Sequence, residues 1–591
     1  MSGESTSRRD MLKIVGGAAG GLIVGGAIGY LAKPSETATT TVTNTVTKTE
    51  TTTATGTTTT TTTPTTTTPT TTSPADQYTL AARECAAWVG NETPLTQAQL
   101  IQELEFFAKA SAPYRGKTVL IMYEAIPPAE WEEKNLGPWF EKITGIKIKW
   151  ESMSNFETIL KSIEDQKTQG GIFDAIGSDQ DMNGFYTWYK SGLDMTEFMK
   201  AHPELVPPYF DLEDFYARAT YSDWRNGHLM ALLAYNAPHG TVYRKDWFTD
   251  PAEKAAFKAK YGYDLKTPME YYMDAQKSGK IDDDWTTDKA RDCMEFFTRP
   301  EKNMYGTVTG LRAGDHMGWW TGDGFDDVFQ LASPAPAGKD PIECTGFEPN
   351  TTPWGMHIEK NVYYGFSKAN GGTLNGDAGV AMYDYWFKTI PKYAPDKVWQ
   401  MDAVEAHTGF FTDGNYALFF PHYCWFTSTG QGPDSKIPGK FEYGPIPVAK
   451  QFYQKGKPRG YIDPSGWVIS NYSKNKEIAF LFCTFMVSKA FDLKKSLANG
   501  VPIRWSTIQH PLFAAKDKDL AGLVTLMKTQ MKEQTGTDAR MVIYPLILPI
   551  AADAGARAAQ QGLPPKEAAD LQAGEMDKWL VDNGWYKKDL S

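Results

Sequence analysis

From Thr37 to Thr72 the chain is almost entirely threonine, and this tract fixes where folding can begin. A segment without large apolar side chains buries too little surface to offset the entropy of ordering it, so it does not fold alone. Pro64, Pro69 and Pro74 punctuate its second half, a composition typical of O-glycosylated stalks. Extended at about 3.1 Å per residue, residues 36–75 reach on the order of 120 Å. Ahead of the tract lies an uncharged apolar run from Ile14 to Ala32, which as a helix spans roughly 28 Å, near a bilayer's hydrocarbon thickness. Arg8, Arg9 and Lys13 precede the run and orient the N-terminus toward the cytoplasm. The expected organisation is therefore a signal or membrane anchor over 1–35, a disordered stalk over 36–75 and a folded, extracellular part over 76–591. A cleaved signal core is usually shorter than this run, yet Ala27-Ile28-Gly29 offers a weak cleavage site, so anchor and cleaved signal both stay open.

Composition narrows the folded part. The net charge is −11, from 60 Lys and Arg against 71 Asp and Glu, which argues against nucleic acid as a partner. Aromatic residues make up 13%, with 18 Trp and 29 Tyr; most are expected to pack the core, and their flat faces also suit stacking on sugar rings. Cys85, Cys293, Cys344, Cys424 and Cys483 are far apart and odd in number, with no C-x-x-C pair; one disulfide fits an extracellular protein, but its partners stay open. Cys483 sits in the apolar run 479–487 and is expected to be buried. No cysteine lies near the end of the N-terminal apolar run, which excludes a bacterial lipoprotein anchor. Asn91, Asn350 and Asn471 begin N-x-[ST] sequons.

Along the folded part, 76–114 carries helical spacing through Leu100, Leu104, Phe107 and Ala108. Strand-length apolar runs then follow at 117–123, 146–150 and 172–176, separated by helical patterns, one of which ends at Gly145. Strands alternating with helices in this way predict an α/β fold built on parallel sheets. Asp282-Asp283-Asp284 reads as a solvated turn, and Asp323–Asp327 has calcium-loop flavour without the EF-hand register.

Several motifs then fall into one order. Thr144-Gly145-Ile146, Phe173-Asp174-Ala175-Ile176, Ser191-Gly192-Leu193, Val242–Phe248, Phe411-x-x-Gly414-x-x-Ala417-Leu418, Tyr443–Pro447 and Gly466–Ser470 followed by Lys474-Asn475-Lys476-Glu477-x-Ala479 appear in sequence. Together they resemble the family 1 extracellular solute-binding proteins of ABC importers, the maltose-binding type. The threonine stalk behind an N-terminal apolar run resembles archaeal surface-anchored members. Ser7–Lys13 is similar to a twin-arginine export signal, with Met11 in place of the usual aromatic. The resemblance implies a two-lobed, type II periplasmic-binding-protein-like fold, each lobe a mainly parallel sheet flanked by helices. Lobe 1 is expected over about 115–235 and 440–500, lobe 2 over about 240–430 and 545–591. Hinge crossings are expected near Tyr235–His239, Gly430–Gly439 and between Val501 and Pro545. Material around 261–375 has no counterpart in the family pattern.

The resemblance also implies an interlobe cleft where strand ends present polar groups and aromatic faces. Candidate ligand-binding residues are Tyr123 and Glu124 after the first strand, and Asp179, Gln180 and Asp181 after the third. Trp425, and Asp463 and Trp467 about the Pro464-Ser465-Gly466 turn, join them. Trp319 and Trp320 in the atypical region and Arg504 complete the set. Asp179 and Asp181 are equally placed to cap the next helix, and the tryptophans to pack the core. The expected function is capture of a sugar or oligosaccharide and delivery to an ABC permease, without cofactor or metal. No G-x-S-x-G, H-E-x-x-H or P-loop motif points to an enzyme. The alternatives are an anchored glycoside hydrolase, a binder of a non-sugar organic solute and a structural surface protein.

Overall fold

The apolar run at 117–123 forms an inner strand of the first sheet, paired on both sides. In this computed structural model the described residues are 76–591, without 217–220, 237, 313–320, 323–327, 330–352, 455–456, 531–532, 535 and 537. The expected anchor, the stalk, Asn350, Cys344, Trp319, Trp320 and the Asp323–Asp327 loop lie outside them. Among the described residues, no helix is long and apolar enough to cross a membrane. Residues from Gln77 onward form one compact body.

In chain order the strands are β1 (Thr118–Glu124), β2 (Lys147–Met153), β3 (Ala175–Asp179), β4 (Leu232–Tyr235), β5 (His239–Arg244) and β6 (Tyr305–Thr307). They continue with β7 (His357–Glu359), β8 (Val362–Gly365), β9 (Tyr416–Tyr423), β10 (Phe441–Gly444) and β11 (Ser465–Ile469). The first sheet has the order β2-β1-β3-β11-β4, the second β10-β5-β9-β6, and β7 and β8 form a hairpin. β1 pairs with β2 and β3 in parallel, while β11 runs antiparallel between β3 and β4. In the second sheet β5 is antiparallel to both β9 and β10, and only β6 joins in parallel. The α/β class holds, but the sheets are mixed rather than mainly parallel. A chain that returns to its first sheet from the second enters it from the opposite end.

Local chemistry explains the helices between. The helix Gln97–Ala110 starts with a reciprocal capping box between Thr96 and Gln99 and buries Leu100, Leu104 and Phe107. The helix Gly137–Thr144 ends at Gly145, whose φ of 70° suits glycine, and a Cβ there would lie 2.8 Å from the Tyr78 ring. The third strand starts at Ala175, later than the apolar run suggests, because Ile172 N donates to the Asp165 carboxylate instead of to a neighbouring strand.

The chain passes from β4 to β5 at 236–238, where the first crossing was expected. The second crossing lies elsewhere. Phe441–Gly444 pairs with Arg244–Thr241 in the second sheet, so the return runs through 445–464 rather than 430–439. The two crossing segments meet at an antiparallel bridge between Pro238 and Ile462, and His239 N donates to Tyr461 O at 3.0 Å. Asp284 corrects the solvated-turn reading. It is 3% exposed and accepts two bonds from Arg459 of the second crossing, at 2.7 and 2.8 Å. Cys85, Cys293, Cys424 and Cys483 are free thiols, all buried.

Candidate functional site

The ends of β1, β3 and the start of β11 bring polar side chains together beside the crossing. Asn155, first residue of the helix Asn155–Thr168, donates through Nδ2 to Asp179 Oδ2 at 2.5 Å and to Glu124 Oε2 at 3.3 Å. The Ser465 hydroxyl donates to the other oxygen of Asp179. Burial pushes the Asp179 carboxyl above its ordinary range, and the bonds from Ser465 and Asn155 pull it partly back. Asp179 does not cap the short helical turn Gln180–Met182 that follows. Its carboxylate is used sideways, across the strand ends. Gln180 donates through Nε2 to Ile462 O at 2.5 Å, and its Oε1 is buried without a donor. The Tyr221 hydroxyl sits 2.7 Å from Ser178 O and 2.6 Å from Pro464 O. Burial first, then Asp179, Asp463 and Asp181 nearby, hold that phenol well above its usual range. Asp181 and Asp463 are themselves buried.

On the second sheet, rings cluster where β5 begins and β9 ends. Trp425 stacks on Tyr423 with centroids 5.4 Å apart and planes 17° off parallel. His239 meets Tyr423 edge-on at 4.2 Å and Tyr461 at 5.1 Å. The short turn Cys424–Phe426 packs against the helix Pro127–Asn135 of the first lobe, so the two lobes touch here. The Trp425 indole nitrogen and both amide atoms of Asn236 are buried with no partner. Gln534 donates to His239 O at 2.9 Å, and its Oε1 has no donor. An unsatisfied buried polar atom costs about 1–3 kcal/mol. Gln534 and Trp425 join the His239–Tyr423 ring pair, and Asn236 opens the first crossing just before His239, so these unpartnered atoms fall beside that crossing. His422, on the same strand as Tyr423, is fully buried, and burial holds its pKa down to about 3, so it adds no charge.

Glu124, Asp179, Gln180, Asp181 and Asp463 are linked through Asn155, Ile462 and Tyr221, and Trp425 lies with the rings of the second sheet, stacked on Tyr423. Tyr123 has other partners: its hydroxyl donates to the Glu133 carboxylate and its ring meets Trp150 edge-on at 5.6 Å. Two candidates are placed differently from the reading of the sequence. Trp467 is fully buried on β11, edge-on to Phe482 at 5.2 Å and to Tyr235 at 6.1 Å. A central strand is covered on both faces, so a tryptophan there packs the core. Arg504 is fully buried among backbone carbonyls, donating to Phe210 O at 3.0 Å and Val487 O at 2.8 Å, over the Phe215 ring. Its guanidinium ties the 210–211 segment to the end of the helix Lys476–Met486. Trp319 and Trp320 lie outside the described residues. Asn155, Tyr221, Asn236, Ser465 and Gln534 were not foreseen. Of these only Asn155 carried a signal, the Ser154-x-x-Glu157 capping box that fixes its place at the mouth of a helix. Among the described residues, no cluster of His, Cys, Asp and Glu has metal-site geometry.

No protein-family model matches the sequence, and no curated protein matches it by sequence. Solved structures do match the fold. An ABC transporter solute-binding protein from Agrobacterium radiobacter in complex with ribitol superposes with a TM-score of 0.58 at 19% identity, over 79% of this chain and 99% of that one. A second, from Agrobacterium vitis with bound D-mannitol, gives 0.57 at 14% identity, over 80% and 100%. The Thermus thermophilus maltotriose-binding protein bound with maltotriose gives 0.52 at 15% identity, over 78% and 100%. At these identities the likeness establishes architecture: the chain has the two-lobed fold of the ABC-transporter solute-binding proteins.

Proposed function

We propose that this protein is the extracellular receptor of an ABC importer, capturing a neutral, polyhydroxylated solute (a sugar, oligosaccharide or polyol) between its lobes. The observation that carries this reading is the set of buried polar groups at the strand ends and the first crossing. Asp179 is held by neutral donors at the strand ends of the first sheet, and unpartnered buried amide and indole atoms of Asn236, Gln534 and Trp425 lie about the first crossing, beside the stacked Tyr423–Trp425 pair. The structural neighbours with ribitol, mannitol and maltotriose support the same chemistry. Transport follows from hinge motion: ligand bridges the lobes, the crossing segments at 236–238 and 445–464 bend, and the closed form is what a permease recognises.

The N-terminal segments complete the proposal. Ile14–Ala32 anchors the protein in the membrane and the threonine tract tethers the receptor beside its permease, raising its effective concentration there. A thermal-shift screen of the purified protein against monosaccharides, oligosaccharides and polyols tests the binding reading. A ligand at a hundred times its Kd stabilises by about 2.7 kcal/mol. The absence of a shift across the panel overturns it, and release of product from a bound sugar would replace it with hydrolysis. Recovery of the intact protein in the membrane fraction after alkaline carbonate washing tests the anchor.

A further inference from the structure

The second crossing is bonded to the second lobe at both ends of its course there. Val448 N donates to Trp285 O and Thr287 N to Val448 O, both at 3.0 Å, and Ala449 N donates to Val328 O at 2.9 Å. The Trp285 indole reaches the Thr241 hydroxyl on β5 at 3.2 Å, so these partners belong with the second sheet. Further along, Arg459 holds both carboxylate oxygens of Asp284, donates to Ile446 O at 3.2 Å and sits 4.8 Å over the Tyr272 ring. The chain at Glu533 is caught at the same place. Arg459 N donates to Glu533 O at 2.5 Å, and the Glu533 carboxylate accepts from the Tyr272 hydroxyl at 2.9 Å. Pulling Arg459 away from Asp284 would strand two buried charges, so this point stays with the second lobe.

A few residues later the same chain is bonded to the first lobe. Ile462 O accepts from Gln180 Nε2 at 2.5 Å, and the Tyr221 hydroxyl, beside Ser178 O of β3, lies 2.6 Å from Pro464 O. Between Arg459 and Ile462 stand Gly460 and Tyr461. Tyr461 bonds across to the first crossing, where its carbonyl accepts from His239 N at 3.0 Å. Gly460 has a φ of 100°, in the left-handed region that favours glycine, and a Cβ there would lie 3.3 Å from the Gln534 side chain.

We infer that Gly460 is the pivot of the second crossing, and that the Arg459–Asp284 pair is the anchor that confines the bend to it. This rests on the reading of the protein as a receptor that closes about its solute. A segment bonded to one lobe at Arg459 and to the other at Ile462 has two residues in which to absorb a change of angle between the lobes. Of the two, the glycine passes between positive and negative φ at the lower cost. Arg459 and Asp284 are positioning residues, acting on the solute through the hinge.

Pulsed electron paramagnetic resonance between spin labels on the two lobes tests it. Leu160→Cys on the helix Asn155–Thr168 and Met273→Cys on the helix Pro268–Ser278 replace exposed side chains, in a Cys344→Ser background; the other four cysteines are buried. Arg459→Met with Asp284→Asn removes both charges together, so no ion is stranded. This double variant is expected to melt cooperatively and to broaden the ligand-free distance distribution about twofold or more. A folded double variant with the wild-type width overturns the anchor and leaves the pair a structural contact. Gly460→Val forces the backbone away from its φ of 100° and is expected to displace the ligand-free mean distance. Gly262→Val, at a φ of 80° on a helix end outside the crossings, is expected to leave that mean in place. An unmoved mean in Gly460→Val, or an equal displacement in Gly262→Val, overturns the pivot. A sugar or polyol that binds should shorten the wild-type mean, and binding without shortening overturns the closure. If no member of the panel binds, the sugar-binding reading alone falls, and the ligand-free distances still decide the hinge.

Discussion

Two buried carboxylates of the first lobe, Glu132 and Asp179, sit in opposite electrostatic surroundings. Glu132, on the helix Pro127–Asn135, accepts from Lys495 at 2.8 Å and from the Tyr235 hydroxyl at 2.7 Å, and Lys495 also donates to Ala234 O. Every strong donor around it is charged or fixed, and both partners are wholly enclosed. Asp179 is just as buried but is held by an amide and a hydroxyl, with no ion pair. Burial raises the carboxyl pKa in both places, and only at Glu132 does a cation oppose it. The first arrangement holds helices to a sheet. The second leaves a carboxyl group in the interior with no cation beside it, the kind of perturbed group that clusters at functional sites.

The sharpest way to break the comparison is to remove the cation. Lys495→Met leaves Glu132 buried and unpaired, and the expected cost is about 3–5 kcal/mol by chemical denaturation. Adding Glu132→Gln to that variant should recover much of the loss, because the uncompensated charge, and not the missing contact, carries the cost. If the double variant is as unstable as the single one, the pair is not what separates these two sites.

Glu103 offers an intermediate case. It is fully buried on the helix Gln97–Ala110, and burial raises its pKa to about 7 against the opposing fields of Arg504 and Lys489. Between about pH 4.5 and 7 the folded protein keeps a proton that the unfolded chain has released. Stability therefore falls as pH rises through that window, by about 3 kcal/mol across all of it. Glu103→Gln should flatten this slope and make the protein more stable than wild type at pH 8. An identical slope in the variant would assign the proton to another group.

Asp179→Asn probes the other side. Removing a buried charge held by neutral donors is expected to change stability by no more than about 1 kcal/mol. Loss of a charged acceptor should weaken solute binding by about 1.5–3 kcal/mol, roughly ten- to a hundredfold in Kd. A large loss of stability with unchanged affinity would make Asp179 a structural residue like Glu132.

Local patterns made the alternation of strands and helices legible, and the first crossing too, since Asn236 and Pro238 interrupt an apolar run. The lobe to which Phe441–Gly444 belongs was not legible, because four residues carry no record of the strand they pair with some two hundred positions earlier. The strand-end placement of Glu124 and Asp179 was legible because position at the end of a strand is itself a signal. Trp467 and Arg504 were misplaced for a common reason: composition says what a side chain is able to contact, while burial is settled by distant chain, here Phe482 for one and the Phe210 carbonyl for the other. Tyr221 and Gln534 left no trace, being single polar residues in loops that only the folded crossing brings together.

The smallest expected effect concerns how Asp179 is held. Asn155 reaches both Asp179 and Glu124 because it opens a helix whose start is fixed by Ser154 and Glu157. Glu157 N donates to Ser154 Oγ at 3.3 Å, and Ser154 N to Glu157 Oε2 at 2.8 Å. Ser154→Ala removes half of this box and should cost about 1 kcal/mol of stability. If the cap also aims Asn155, solute affinity falls with it, by less than in Asp179→Asn because the Asn155 amide itself remains. Paired denaturation and titration measurements separate the two effects. A loss of stability with wild-type affinity would show that Asn155 is oriented by its carboxylate partners, and the polar group would then depend on the strand ends alone.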